Sequence, residues 1–291
     1  MSGSRTNSFA AWGLLAPFLL LFALFTAYPI GRSLLLSTQQ TFGPGTTVSV
    51  GATNYGAILR DPLFYQALLN TTVFTLGSVF IQLPLSLALA LLLNRPGLRG
   101  RAFFRMIFFA PSLVGLVFVA IIFSLLLEKR TGLINIALHR TIGFPLDFPW
   151  MQQYAMGALI VASLWMFVGF NMVYFLAALQ NVSKELEEAA YIDGAGPWQR
   201  LLNVTLPAIA PIGTFVVLLS IIGSFQLFEL PWIMFNGPGY DNRALTVVMY
   251  LYQAGFEVGD LGYASAVGWL IALVLIVAAV AQRYFGRGHE A

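Results

Sequence analysis

The sequence predicts an all-α membrane protein with six spanning helices, and three observations carry that prediction. Hydrophobic residues make up 58% of the 291, charged residues only 9%, and the mean hydropathy is +0.80; a soluble domain carries about a quarter charged residues. Six apolar runs each reach roughly the 20 residues that cross a hydrocarbon core. Arg95, Arg99, Arg101 and Arg105 crowd one short connection, the charge signature of a cytoplasmic loop. The same composition excludes other classes. The chain has no cysteines, so disulfides, thiolate metal sites and thiol catalysis are unavailable to it. Its net charge of +3 resides between apolar runs, as orientation signals do, and not in a nucleic-acid-binding patch.

Residues 1–11 form a polar head with Arg5 as its charge. The run 12–36 is too long for a signal-peptide core and lacks a convincing small-x-small cleavage site, so it reads as a retained first helix. Residues 39–66 read as a loop, with Pro44, Gly45 and Gly51 as turn formers. The second span covers about 67–93 and carries Pro84, an expected kink whose freed carbonyl neighbouring helices can satisfy. The arginine connection 94–105 lies inside, and the third span follows over about 106–127. Residues 128–153, broken by Gly132, Gly143 and Pro145, lie outside, before a fourth span over about 154–179. The fifth span covers about 208–234, an outside loop 235–261, and the sixth span about 262–281. Arg283 and Arg287 then end the chain inside, so both termini are expected in the cytoplasm. No connection is long enough to bury its own core, so one transmembrane domain is expected over 1–291.

Residues 183–207, between the fourth and fifth spans, are the one charged insert of any length between two long apolar runs. Glu185, Glu187, Glu188 and Asp193 are four of the chain's twelve acids. Ser183 is placed to cap a short helix, whose positive N-terminal end suits those acids, and Ala189 and Ala190 favour helix. Gly194, Gly196 and Pro197 are expected to end it, Gly194 through a left-handed turn. A second short helix over 198–204 is expected to stop before Pro207. Such a helix–turn–helix, showing small residues and acids outside the bilayer, suits a cleft on another protein. Crossings counted from the arginine loop place it inside as well.

Glu188-Ala189-Ala190, then Asp193-Gly194-Ala195, then Leu206-Pro207 resemble the cytoplasmic "EAA" loop of permease subunits of bacterial ATP-binding-cassette importers. Asn54-Tyr55 with Asp61-Pro62, Asn236-Gly237-Pro238, and Gly262-Tyr263-Ala264-Ser265-Ala266 resemble the carbohydrate branch of that family. Within it the chain is similar to the larger maltose-permease subunit and to glycerol-3-phosphate and trehalose permeases. Asn236 stands where that branch has glycine, and Ser183 where it often has proline. The resemblance implies a type I importer permease fold and alternating access for a sugar, polyol or glycerol phosphate. It implies as partners a second, homologous permease, two ATPase subunits that carry ATP and magnesium, and an extracytoplasmic solute-binding protein, at a bacterial or archaeal inner membrane. It implies that Glu188, Ala189, Ala190, Asp193, Gly194, Ala195, Leu206 and Pro207 couple the spans to the ATPase. No cofactor on this chain and no nucleic acid are implied.

Read for chemistry, the residues point the same way. Lys129 follows Glu128 and Lys184 follows Ser183, so neither lysine completes a P-loop. His139 and His289 lie far apart, and no His-Glu-x-x-His pair is present to hold zinc. No nucleophile–base pair of a membrane hydrolase is legible. Polar groups within spans are costly and are therefore functional candidates. Glu229 is the one acid placed within a span, near the outer end of the fifth, with Gln226 a turn earlier. On the fourth span Ser163, Phe167 and Asn171 share a face at i, i+4, i+8. With Trp165 and Trp232 nearby, these offer the amide, hydroxyl and aromatic contacts a sugar uses. They equally suit interhelical hydrogen bonds, and the tryptophans suit interface anchors. The alternative is an ion-coupled secondary transporter, which needs ionisable residues within spans or helices broken at matching places in two halves. Glu229 alone supports it.

Overall fold

The computed structural model describes residues 4–41, 45–95 and 97–286. Pro44, Pro96, Arg287 and His289 lie outside the described residues. In chain order the main helices are α1 (Trp12–Leu36, continuing a helix that begins at Ser4), α2 (Pro62–Asn94), α3 (Arg101–Phe109), α4 (Leu116–Leu126) and α5 (Ala155–Gln180). They continue with α6 (Lys184–Ile192), α7 (Pro197–Phe225), α8 (Glu229–Phe235) and α9 (Leu261–Gly286). Among the described residues α1, α2, α5, α7 and α9 are each long and apolar enough to cross a membrane. Taken as one broken span, α3 and α4 make the sixth.

Two expected spans are not single rods. Between α3 and α4 the chain bends by 95°. Pro111 removes a donor from the ladder, Ala110–Leu113 tighten into a 3-10 turn, and Val114 and Gly115 are extended, with ψ of 133° and 142°. The fifth span likewise ends at Phe225, and the stretch expected to complete it forms the separate seven-residue α8. The second span starts at Pro62, five residues before the expected position, because proline is well placed at a helix start.

Pro17, Pro29, Pro84, Pro207 and Pro211 sit inside long helices without stopping them. A proline has no N–H, and its ring crowds the carbonyl four residues back. Ahead of Pro29, Pro84 and Pro207 the helix widens into a π turn, at Ala23–Ala27, Ser78–Gln82 and Leu201–Thr205. Widening moves the crowded carbonyl aside while the helix continues. The expected stop before Pro207 is therefore corrected: α7 runs from Pro197 through Pro207 to Phe225.

The chain forms two compact units. One takes in the described part of Met1–Asp61 together with Leu251–Ala272. Here the expected loop carries an antiparallel hairpin, β1 (Gln39–Thr41) with β2 (Thr47–Ser49), and a short helix Thr53–Ile58. The buried Asn54 amide donates to the carbonyls of Ser37 and Gln39 at 3.0 and 2.8 Å. Asp260 accepts from the Thr41 N–H at 3.2 Å and from the Tyr263 N–H at 2.9 Å, which ties the hairpin to the start of α9. α1 buries none of its apolar length in its own chain.

The other unit takes in Pro62–Tyr250 with the described part of Leu273–Ala291, and α5 is its axis. One side of α5 (Ala158, Leu159, Ala162, Met166) packs with Phe74, Val119, Phe123, Leu230 and Met234. Its second half (Met172, Phe175, Leu176, Leu179) packs with Leu83, Ala90, Ile209 and Val216. In lipid, apolar contact alone drives helices together weakly, and close approach through small residues supplies the attraction. Gly169 is the tightest such place: a Cβ there would overlap the backbone carbonyl of Phe108 at the end of α3. In the loop before α5, Gly132 and Gly143 do bound an element, the helix Leu133–Ile142, with Gly143 left-handed at φ +70°.

Candidate functional site

α7 stops at Phe225, and the chain passes through Gln226, Leu227 and Phe228 before α8 begins. Breaking a helix within a membrane strands backbone carbonyls that need new partners. The fully buried Thr246 hydroxyl donates to the Leu227 carbonyl at 2.7 Å and accepts from the Met249 N–H at 3.3 Å. The loop that carries Thr246 is held in turn by α2: Asn70 donates to the carbonyls of Asn242 and Leu245, each at 3.0 Å. After α8, Asn236 takes a left-handed conformation at φ 54°, and the Gly237 N–H reaches the Trp232 carbonyl at 2.9 Å. Asparagine tolerates that region better than other side chains, so its replacement of glycine costs the turn little.

At the break a cavity of about 470 Å³ opens, within the ~300–1,000 Å³ of small-molecule sites. Phe74, Phe167, Phe170 and Phe228 supply ring surface. Gln82, Asn171 and Gln226 supply amides, Ser78, Ser220 and Ser224 supply hydroxyls, and Glu229 supplies a carboxylate. Four of the five residues expected along a substrate path therefore meet: Phe167, Asn171, Gln226 and Glu229. Ser163 does not join them; it is buried, and its hydroxyl donates to the Ile160 carbonyl at 2.8 Å. Eight residues carry a helix about 80° past two full turns, so Ser163 and Asn171 diverge. Gln226 and Glu229 occupy the break and the first turn of α8, not the continuous span expected for them. Trp165 packs on Phe123 at 5.9 Å and Trp232 stacks on Phe228 at 5.4 Å, both outside the lining.

The sequence reading missed Ser78 and Gln82. Both are buried and border the cavity from the π turn of α2. Their signal was present: two polar residues at i, i+4 in an apolar run, just ahead of Pro84.

A second feature lies apart from the cavity. α6 starts at an extended Ser183 (ψ 124°), in cap position, although its hydroxyl makes no cap bond. The helix closes as a Schellman motif, with the Gly194 N–H on the Tyr191 carbonyl at 3.1 Å and the Ala195 N–H on that of Ala190 at 2.9 Å. Gly194 is left-handed at φ +82°, as expected. Glu188, Ala189 and Asp193 are exposed, and Ala190 and Ala195 half-buried. Beside them Leu186, Tyr191 and Ile192 of α6 are also exposed, apolar side chains on a helix outside the apolar spans, and Trp198 is exposed at the start of α7. The Arg200 guanidinium lies 5.3 Å over the Tyr191 ring and steadies α6 against the start of α7. Leu206 packs into the core around α5, and Pro207 is exposed on α7, so neither belongs to α6 itself.

A bundle of apolar helices with a cavity at a broken helix, and a short helix presented beyond it, defines a membrane permease. The chain belongs to the family of binding-protein-dependent transport system inner membrane components, whose pattern matches residues 82–289. It is 38% identical over 264 residues to the arabinooligosaccharides transport system permease protein AraP of Bacillus subtilis (strain 168), covering 90% of this chain and 83% of that one. It is 35% identical to the lactose transport system permease protein LacF of Rhizobium radiobacter, over 96% of this chain and 94% of that one. To the sn-glycerol-3-phosphate transport system permease protein UgpA of Yersinia pestis it is 31% identical, over 98% and 97%. In fold it matches a chain from the crystal structure of a bacterial ABC transporter involved in import of the acidic polysaccharide alginate. The TM-score is 0.84 at 22% identity, covering 97% of this chain and 96% of that one. Family membership sets the ion-coupled alternative aside.

Proposed function

We propose that this chain carries a sugar through the cavity at the α7–α8 break, and that α6 joins its movement to ATP use on separate ATPase subunits. The observation that carries the proposal is α6 itself. It is a short helix with two alanines, an acid and exposed apolar side chains on its surface, closed by a glycine that lets the chain turn back at once. A helix so built seats in a groove. The working complex then comprises this chain, a second permease, two ATPase subunits holding ATP and magnesium, and a solute-binding protein outside. The family, and the arabinooligosaccharide and lactose systems of two relatives, support a sugar as cargo. Coupling requires that α6 contact the ATPase differently in its two states, since a ligand with no differential contact shifts nothing.

Orientation follows from the arginine connection, and both termini lie in the cytoplasm. Reporter fusions after Arg105 and after Val182 should report inside, and a fusion after Pro145 outside. An inside signal at Pro145 would put α6 on the wrong face for an ATPase.

The cavity is tested by Gln226→Ala in the assembled complex. Loss of a hydrogen-bond partner in a buried site costs about 1–3 kcal/mol, so uptake of the cognate sugar should slow by several-fold to about a hundredfold. Assembly with the partner subunits should be unchanged. Normal uptake across a panel of labelled oligosaccharides would remove the cavity from the path.

A further inference from the structure

Glu229 is the one charged group on the described lining of the cavity, and no lysine, arginine or histidine faces it there. Its carboxylate is exposed and takes no hydrogen bond or ion pair from any described residue. Everything else on the lining is phenyl, aliphatic, amide or hydroxyl. We infer that the cavity selects its cargo by charge: it passes neutral or amine-bearing sugars and turns away those with a carboxylate or phosphate, with Glu229 as the specificity-determining residue. The inference rests on the proposed sugar path and narrows its substrate class.

Amides and hydroxyls both donate and accept, so they pair with sugar hydroxyls in either sense. Phenyl faces cover the apolar C–H surface of a ring. A neutral oligosaccharide therefore leaves no group on either side without a partner. An acidic sugar finds no cation on this lining and meets a carboxylate instead. The two like charges then stand close together in one cavity, and their repulsion opposes entry. Family membership leaves the charge open, because the relatives' names cover neutral arabinooligosaccharides and lactose as well as anionic sn-glycerol-3-phosphate. The lining of this chain decides it.

The absence of cysteine from this chain allows a direct test, with the parent complex giving the background of its partners' thiols. One thiol is placed on the cavity wall of the assembled transporter, and its rates with a cationic and an anionic methanethiosulfonate of similar size are compared. Gly223→Cys fits freely, since a Cβ there meets nothing within 4 Å, and Ser220→Cys gives a second position on the same helix. Relative to a small free thiol, the cation-to-anion rate ratio should be raised about tenfold or more, and adding Glu229→Gln should return it toward the free value. A neutral oligosaccharide should protect the thiol and its uronic-acid counterpart should not, until Glu229→Gln admits the acid. A ratio at the free-thiol value at both positions, or one unmoved by Glu229→Gln, overturns charge selection; protection by the neutral sugar would then leave the path itself standing. Should no sugar of either kind protect or be taken up, the sugar path fails, and the inference with it.

Discussion

Ala189→Trp and Gly194→Val should each abolish sugar uptake while the chain still inserts and accumulates in the membrane. The two act at different points of one helix. Ala189 lies on the exposed face of α6, so an indole there disturbs little within the chain but holds the helix out of any groove. Gly194 has space around it, with nothing within 4 Å of an added Cβ, yet its φ of +82° is closed to a branched side chain. Forcing valine there strains the turn by about 1–2 kcal/mol and loosens the Schellman closure that sets the end of α6. The measurements are recovery of the ATPase subunits on purification and stimulation of ATP hydrolysis by the loaded binding protein. At least one should be lost in each variant, whereas Ala189→Ser, which stays small, should retain both. Normal coupled transport by Ala189→Trp would dismiss α6 as the docking helix.

The parts of this structure governed by composition and local chemistry were legible in the sequence. Apolar length located the first, fourth and sixth spans to within about five residues, whereas the fifth begins eleven residues earlier than expected and ends nine earlier. Gly194 behaved as its position demanded, because the conformation of a helix end is set by its own few residues. Pro207 misled for the opposite reason. A proline stops a helix by local rules, but the π turn at Leu201–Thr205 accommodates it, and burial of Ile209 and Val216 against α5 favours continuing the helix. The breaks at Val114–Gly115 and Gln226–Phe228 were likewise hidden, since both lie within apolar sequence that reads as span. The second survives through Thr246, a partner 19 residues away. Ser78 and Gln82 of α2 and Ser220 and Ser224 of α7 make up most of the cavity's polar lining, and no periodicity within α5 reports what a neighbouring helix brings to it.

Gly169→Val should cost the fold itself, and so loses transport by another route. At this position α5 and the end of α3 approach so closely that any Cβ overlaps the Phe108 carbonyl. The obstacle is backbone at the start of a 95° bend, so no side-chain rotation relieves it. Relief requires lifting α3 away from α5 and opening the packing on which the unit is built. Overpacking a core costs about 1–3 kcal/mol where side chains can shift, and a backbone obstacle belongs at or beyond the upper end. The expected result is a fall in the melting temperature of the detergent-solubilised complex, with little complex recovered. Uptake is then lost together with assembly, unlike the α6 variants, in which the chain persists. Gly157→Ala on the same helix is the control, because nothing lies within 4 Å of its added carbon, and it should melt with the parent. A Gly169→Val protein that melts and transports like the parent would show that α3 does not rest on α5 at this point.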